Sequence, residues 1–522
     1  MNSKTIVQGF GAAILISLLH VWPLLSPRHS LIYHSVLPID SLVWGILIDL
    51  GITSLLAAVL FAYLGKREAG LRNIIWVLVG VQLIPALAID AAATLQKSLT
   101  FFLADLLLYG TLLVGLALRW LRPLGYQRVV RGFRFLLLMV GCGLVWMVPK
   151  LLYLGLRSGP HDAKMPVTRT GPPVVRGAAP GNRGRIVWIL FDELSYNQTF
   201  DHRFPGLAMP AFDKLKSESV SFSDLKPAGY ETDRVVPSFF EGQVVDDIRS
   251  DLNGNLKVKL AGQRDWQAFD PHTTLFADAQ HLGWTTGVVG WYNPYCRILA
   301  GTLDYCFWRM GNGQWNGTAS DQSALRNAVA MAPFIGAIWG WRHTPSFPQE
   351  EKHAADLAAL VPQAETLIRD QSIGFVFIHL SVPHPPGIYD RRPGHQRATG
   401  TYIDNLALAD RTLGKLMDSL NATPSAAKTT VVVCSDHSWR IPLWRGTPQW
   451  SEDEETASHG VFDTRPVVLI HFPGQATELD VTVPFDEIKI HDILEHMLRG
   501  QAYDFGKPMQ ASRTILPVTA KP

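Results

Sequence analysis

The stretch RIVWILFDE, residues 185–193, sets the reading of the whole chain. Six apolar residues in a row, with no polar alternation, describe a strand buried on both faces, as in a parallel sheet. Asp192 and Glu193 follow at once, at the carboxyl end, where open α/β sheets carry their sites. Downstream, runs of the same kind recur at 285–290 (TTGVVG), 374–379 (GFVFIH), 429–434 (TTVVVC) and 466–471 (PVVLIH). Between them lie segments of helical period such as 403–420, with Leu406, Leu413 and Leu416 on one face. This alternation predicts a three-layer α/β domain over residues 185–522.

The polar residues cluster at those strand ends. Ser435, Asp436 and His437 follow the fourth run, His384 stands in SVPHPP just past the third, and His459 lies in SHG before the fifth. Singly, such an acid is an ordinary helix N-cap and such a histidine an ordinary loop residue. Together, carboxylates and imidazoles converging at successive strand ends suit one divalent ion, Zn²⁺ or Mn²⁺ rather than Ca²⁺. Four cysteines without a CxxC pair exclude a zinc ribbon and a disulfide scaffold. Cys296 and Cys306, closely spaced around a Gly-Thr turn, are expected to form a disulfide.

Upstream the composition changes. Residues 1–156 hold 12 Lys/Arg and 5 Asp/Glu, whereas residues 185–522 hold 30 bases against 39 acids, a balance that argues against nucleic acid as a partner. Apolar stretches of about 20 residues, enough to cross a bilayer, lie at 5–25, 43–64, 73–95, 99–119 and 135–156, predicting a five-helix transmembrane domain over 1–156. The first could also be read as a signal peptide, but Lys4 is a thin basic region and four spans follow. Nine basic residues (Lys4; Lys66, Arg67, Arg72; Arg119, Arg122, Arg128, Arg131, Arg134) fall on one side of these spans. That bias puts the N-terminus in the cytoplasm and, after five spans, residues 185–522 outside a bacterial-type cell membrane. Asp49, Asp90 and Asp105 fall within spans and read either as a polar cavity or as interhelical hydrogen-bonding groups. The Pro-, Gly- and Arg-rich segment 157–184 reads as a linker.

The order LFDE (190–193), ETDRVVPSFFEG (231–242), HLSVPHPP (379–386), SDHS (435–438) and SHGVFDTRPVVLI (458–470) resembles the alkaline phosphatase superfamily. It is most similar to the sulfatase-like branch with the membrane phosphoethanolamine transferases and lipoteichoic acid synthases. The resemblance runs from about Arg185 to Leu498. It implies Asp192, Glu193, Asp436 and His437 as metal ligands, and Thr232, five residues before Pro237-Ser238, as the threonine that ligates the ion and carries the phospho-intermediate. Metal coordination is the remedy for a weakly nucleophilic alcohol. It further implies His384 and His459 as groups that hold phosphoryl oxygens or protonate the leaving group, with Arg234 and Arg440 as contacts to an anionic substrate. Two departures matter. ETDRVV lacks the Cys or Ser of the formylglycine signature, which disfavours sulfate ester hydrolysis. Leu380 stands four residues before His384, where two-metal members place an Asp, so one ion is expected.

The function expected from the resemblance is transfer of a phospho-headgroup, of phosphoethanolamine or phosphoglycerol type, from a phospholipid donor in the bilayer to an envelope glycan or lipid. A phosphodiesterase using the same site, with water as acceptor, and a non-catalytic membrane assembly module are the alternatives. Retention of Thr232 and Asp436 counts against the last.

Overall fold

The computed structural model describes residues 3–25, 39–65, 123–157, 184–251, 255–309, 347–392, 394–447, 450–460, 462–503 and 505. Downstream of Gly184 the architecture is an eight-stranded sheet. Its strands are β1 (Arg185–Phe191), β2 (Val220–Phe222), β3 (Thr286–Trp291), β4 (Tyr305–Arg309), β5 (Phe375–Leu380), β6 (Thr429–Ser435), β7 (Val468–His471) and β8 (Leu479–Val481). Their order is β8-β2-β7-β6-β1-β5-β3-β4, which puts the RIVWILF run at the centre. Alternate residues of β1 enter different cores. Ile186, Trp188 and Leu190 pack with Phe239, Phe240, Phe276 and Leu494, while Val187, Ile189 and Phe191 pack with Phe212, Leu360, Leu406 and Leu413. Both faces of the sheet are therefore covered, and the domain has the three layers the pattern predicts.

One expectation is corrected. The fifth run was expected in a parallel sheet, but β7 pairs antiparallel with both β6 and β2. The start of β7 sits beside the end of β6, with Val468 opposite Cys434 and His471 opposite Val431. The chain from Asp436 to Val467 thus leaves and re-enters the sheet at one edge, with no crossover to reverse it. That edge is the carboxyl end of β1, β5 and β6, so the turn keeps a long loop beside the acids.

Upstream, the described residues form α1 (Ser3–Leu25), α2 (Ile39–Gly65), α3 (Pro123–Cys142) and α4 (Leu144–Arg157). Among the described residues, two stretches are long and apolar enough to cross a membrane, Ile46–Tyr63 and Val130–Arg157. Both carry large apolar side chains on the outside, among them Leu55, Leu56, Phe135, Val145, which is 81% exposed, and Leu156. A row of this kind is a membrane or partner surface rather than a soluble one. The expected spans 73–95 and 99–119, with Asp90 and Asp105, and nearly all of the linker lie outside the described residues, as does the side chain of Asp49.

The helices meet backbone to backbone. A Cβ on Gly11 would lie 1.9 Å from the Leu137 carbonyl oxygen, and one on Gly141 would lie 2.1 Å from that of Val7. Buried Gln8 donates from Nε2 to the Arg134 carbonyl at 3.1 Å across the same contact. Small residues and an interhelical hydrogen bond let the two helix backbones approach this closely. Gly141→Leu is therefore expected to lower stability by about 1–3 kcal/mol or more through overpacking. Gly51→Leu, whose Cβ meets nothing within 4 Å, should be close to neutral. Thermal unfolding of both full-length variants in detergent checks this, and equal losses would refute the contact.

Cys296 and Cys306 are disulfide-bonded, as the spacing predicts, and tie the turn after β3 to β4. Closing so short a loop is worth about 2–3 kcal/mol on the chain-entropy estimate. Cys296→Ser with Cys306→Ser should lower the denaturation free energy by that amount, and an unchanged midpoint in denaturant would contradict it.

Candidate active site and cation centre

The loops after β1, β5, β6 and β3 converge. Asp192 and Glu193 are fully buried, and the Asp192 amide donates to the Leu380 carbonyl, which locks the β1 end to β5. Glu193 turns into the left-handed region at φ 66°. A non-glycine residue persists there only when its surroundings impose it. Here its amide donates to Asp436 Oδ1 at 3.0 Å, while its carboxylate accepts from the Arg440 amide, Arg440 Nε and Trp444 Nε1 at 2.8, 2.9 and 2.8 Å. Ser435 closes the turn, accepting from the Leu194 amide, with the Phe191 and His437 carbonyls both within reach of its one hydroxyl proton.

Thr232 opens α5 (Thr232–Glu241) and is buried. Its Oγ1 stands 3.4 Å from Asp192 Oδ2 and 3.3 Å from His437 Nε2, and His437 Nε2 is 3.1 Å from Asp436 Oδ2. The helix N-terminus adds a positive field at this point. The sequence-predicted Asp192, Glu193, Thr232, Asp436, His437, His384 and Arg440 therefore form one buried cluster. His384 joins it through Nε2, 3.2 Å from Arg440 Nη2 and 3.8 Å from Glu193 Oε2.

The other two candidates sit differently. Arg234 pairs with Glu231 at 3.0 Å and with Asp247 at 3.6 Å. His459 caps the helix Glu452–Ser458 in a left-handed conformation, is exposed, and lies against the ring of His202. It is not one of the buried groups around Thr232. A residue that the sequence reading passed over takes a place there instead. His379, the last polar residue of the third run, is fully buried with Nε2 3.4 Å from Asp192 Oδ2. Its signal was available, since a lone imidazole ends an otherwise apolar strand at the carboxyl edge.

The electrostatics describe a site built for a cation. Burial and the neighbouring Asp436 carboxylate push the Asp192 carboxyl well above its ordinary range. Burial lowers His379 to about 4 and His384 to about 3, so both rings are neutral at pH 7. Asp192 Oδ1, Asp436 Oδ2 and His379 Nε2 are buried with no hydrogen-bond partner. Carboxylate oxygens left desolvated and unpaired are costly, and a divalent ion beside Asp192 and Asp436 would remove that cost. Ligand atoms of Asp192, Asp436 and His437 lie within 4.8 Å of one another, as do those of Asp192, Glu193 and His384. In the second group Glu193 is already held by Arg440 and Trp444. The first group, with Thr232 Oγ1 beside it, is the better fit.

Comparison with known proteins bears on the same region. The family model described as Sulfatase matches residues 185–484. No curated protein matches the sequence. Among solved structures, a sulfatase from Pseudoalteromonas sp., PsFucS1, is 13% identical, with a TM-score of 0.42 over 62% of this chain and 68% of that one. A phosphonate monoester hydrolase of Agrobacterium radiobacter is 13% identical, with a TM-score of 0.38 over 61% of this chain and 74% of the other. A murine ectonucleotide pyrophosphatase/phosphodiesterase 5 is 9% identical, with a TM-score of 0.34 over 61% and 95%.

Proposed function

The chain belongs to the sulfatase family of the alkaline phosphatase superfamily, and on that premise we propose that it is a membrane-anchored, cation-dependent phospho-headgroup transferase. The donor is a phospholipid and the acceptor a hydroxyl of an envelope glycan or lipid. One observation carries the reading: a buried threonine hydroxyl at a helix N-terminus, flanked by Asp192 Oδ2 and His437 Nε2. Asp192, Asp436, His437 and Thr232 would hold the ion, Zn²⁺ or Mn²⁺. When bound, it supplies Lewis-acid stabilisation of the oxygens that gain charge.

The chain's own residues do the rest. Thr232 Oγ1 bonds to phosphorus as the bond from phosphorus to the diacylglycerol oxygen breaks, and the proton that Thr232 gives up is matched by the one the lipid oxygen takes. In the second half the acceptor hydroxyl oxygen bonds to phosphorus as the bond from phosphorus to Thr232 Oγ1 breaks, and the proton the acceptor gives up is matched by the one Oγ1 regains. Arg440, held by Glu193 and reaching His384, presents positive charge to the non-bridging oxygens. His384, whose Nε2 accepts from Arg440 Nη2, holds that guanidinium toward the site.

The apolar helices supply the anchor, and the Cys296–Cys306 bridge supports an oxidising compartment for the catalytic domain. A reporter fused after residue 156 tests this placement, and activity on the cytoplasmic side would overturn it. The function is tested by incubating purified full-length protein with headgroup-labelled phospholipid, with and without a sugar or lipid acceptor. Mass analysis of the Thr232 peptide should find the headgroup phosphate, and release of diacylglycerol should rise with acceptor. Equal release in its absence would mean a hydrolase. No label on Thr232 and no release would mean a binding module.

A further inference from the structure

The three imidazoles of the cluster differ in what holds Nδ1. In His437, Nδ1 faces the Ser438 carbonyl at 3.1 Å, and in His384 it faces the Pro385 carbonyl. A carbonyl only accepts, so both rings carry a proton on Nδ1 and turn Nε2 toward the cluster. His437 turns that nitrogen toward Thr232 and Asp436, the usual arrangement of a ligating histidine. His379 is built the other way. Its Nδ1 lies 2.6 Å from the Tyr295 hydroxyl. A phenol is a stronger acid than a neutral imidazole N–H, and an imidazole nitrogen is a better acceptor than a phenol oxygen. Tyr295 O–H therefore donates to Nδ1, and the ring proton stands on Nε2.

We propose that Tyr295 is a positioning residue that fixes His379 as an Nε2–H donor. It aims that donor past Asp192 at an anionic oxygen of the substrate bound at Thr232, and so keeps His379 out of the metal's ligand set. Two features serve this placement. Gly290 leaves room for the Tyr295 ring, because a Cβ there would stand 2.2 Å from its Cδ2 and Cε2. Cys296, the next residue, is tied to Cys306 in β4. The donor's Nε2 has no hydrogen-bond partner within the protein, as a group reserved for a ligand should. The inference rests on the phosphoryl-transfer reading for what His379 contacts, but the tautomer and the metal count are readable without turnover.

The test uses full-length protein in detergent, loaded with Zn²⁺ and labelled with ¹⁵N-histidine. The His379 resonances, assigned by their loss in His379→Gln, should show a protonated Nε2 and a bare Nδ1. Tyr295→Phe keeps the ring packing against Phe240 and Phe377 and removes only the hydroxyl. It should abolish that signature and lower kcat about 10- to 100-fold, the usual range for a partner that orients a site residue, with KM and bound zinc little changed. His379→Gln, which offers an N–H donor, should keep full zinc and part of the activity that His379→Ala loses. Loss of zinc in His379→Gln, or a bare Nε2 in the wild type, would overturn the assignment and make His379 a ligand. Wild-type kcat in Tyr295→Phe would also overturn it. If wild-type protein turns over no phospholipid while the tautomer and zinc results hold, the transferase reading fails and the placement by Tyr295 stands.

Discussion

Thr232→Ala is expected to abolish turnover, by roughly 10³- to 10⁶-fold as for other covalent nucleophiles, while leaving the fold and membrane insertion intact. The side chain has two separable roles. Structurally, Thr232 is the first residue of α5, whose packing is carried by Val235, Val236, Phe239 and Phe240. Deleting one hydroxyl and one methyl at its edge costs little. Chemically, Oγ1 lies between Asp192 and His437 and is the nucleophile of the proposed mechanism, and alanine leaves no atom to carry the phosphoryl group. Thr232→Ser keeps that oxygen and should retain partial activity. Thr232→Cys offers a softer ligand and a poorer phosphoryl carrier, and should not. The check is release of labelled diacylglycerol by each purified variant alongside its thermal midpoint. Wild-type release by folded Thr232→Ala would force withdrawal of both the nucleophile and the mechanism built on it.

What the sequence made legible follows from what is local. The run at 185–191, the acids after it and the SDHS segment are contiguous signals, and they located the sheet centre and the cluster's main residues. β2, β4 and β8 escaped because strands of three to five residues at or near the sheet edges carry too little pattern. The direction of β7 escaped because it depends on where the chain from 436 to 467 lies, which no local pattern records. Pairings over long separations were equally hidden. Glu193 and Arg440 were both singled out, but not that they hold each other, 247 residues apart. His379 was counted as the end of a strand because strand period and site position compete for the same residue, and in the fold it serves both. Arg234 pairs with Glu231, three residues before it, and with Asp247, and only the first of these pairings is local in sequence.

Asp192→Asn should separate the cation from the fold. In the wild type, two buried carboxylates crowd one another, and burial together with Asp436 raises the Asp192 carboxyl. Without a counter-ion that crowding destabilises the folded state, and with one it is relieved. The full-length wild type should therefore lose thermal stability in chelator and regain it with Zn²⁺ or Mn²⁺, by about 2.7 kcal/mol at a hundredfold excess over Kd. Asp192→Asn removes one of the two charges and keeps the size of the side chain. Its chelated form should be at least as stable as the chelated wild type, its midpoint should no longer respond to added metal, and its turnover should be lost. The opposite signs make the test sharp: a merely structural Asp192 would show destabilisation on substitution and no dependence on metal. Metal-independent stability in the wild type, with turnover that survives chelation, would remove the cation from Asp192, Asp436 and His437. The unpaired atoms Asp192 Oδ1 and Asp436 Oδ2 would then need another partner, and a proton shared between the two carboxylates is what burial alone would supply.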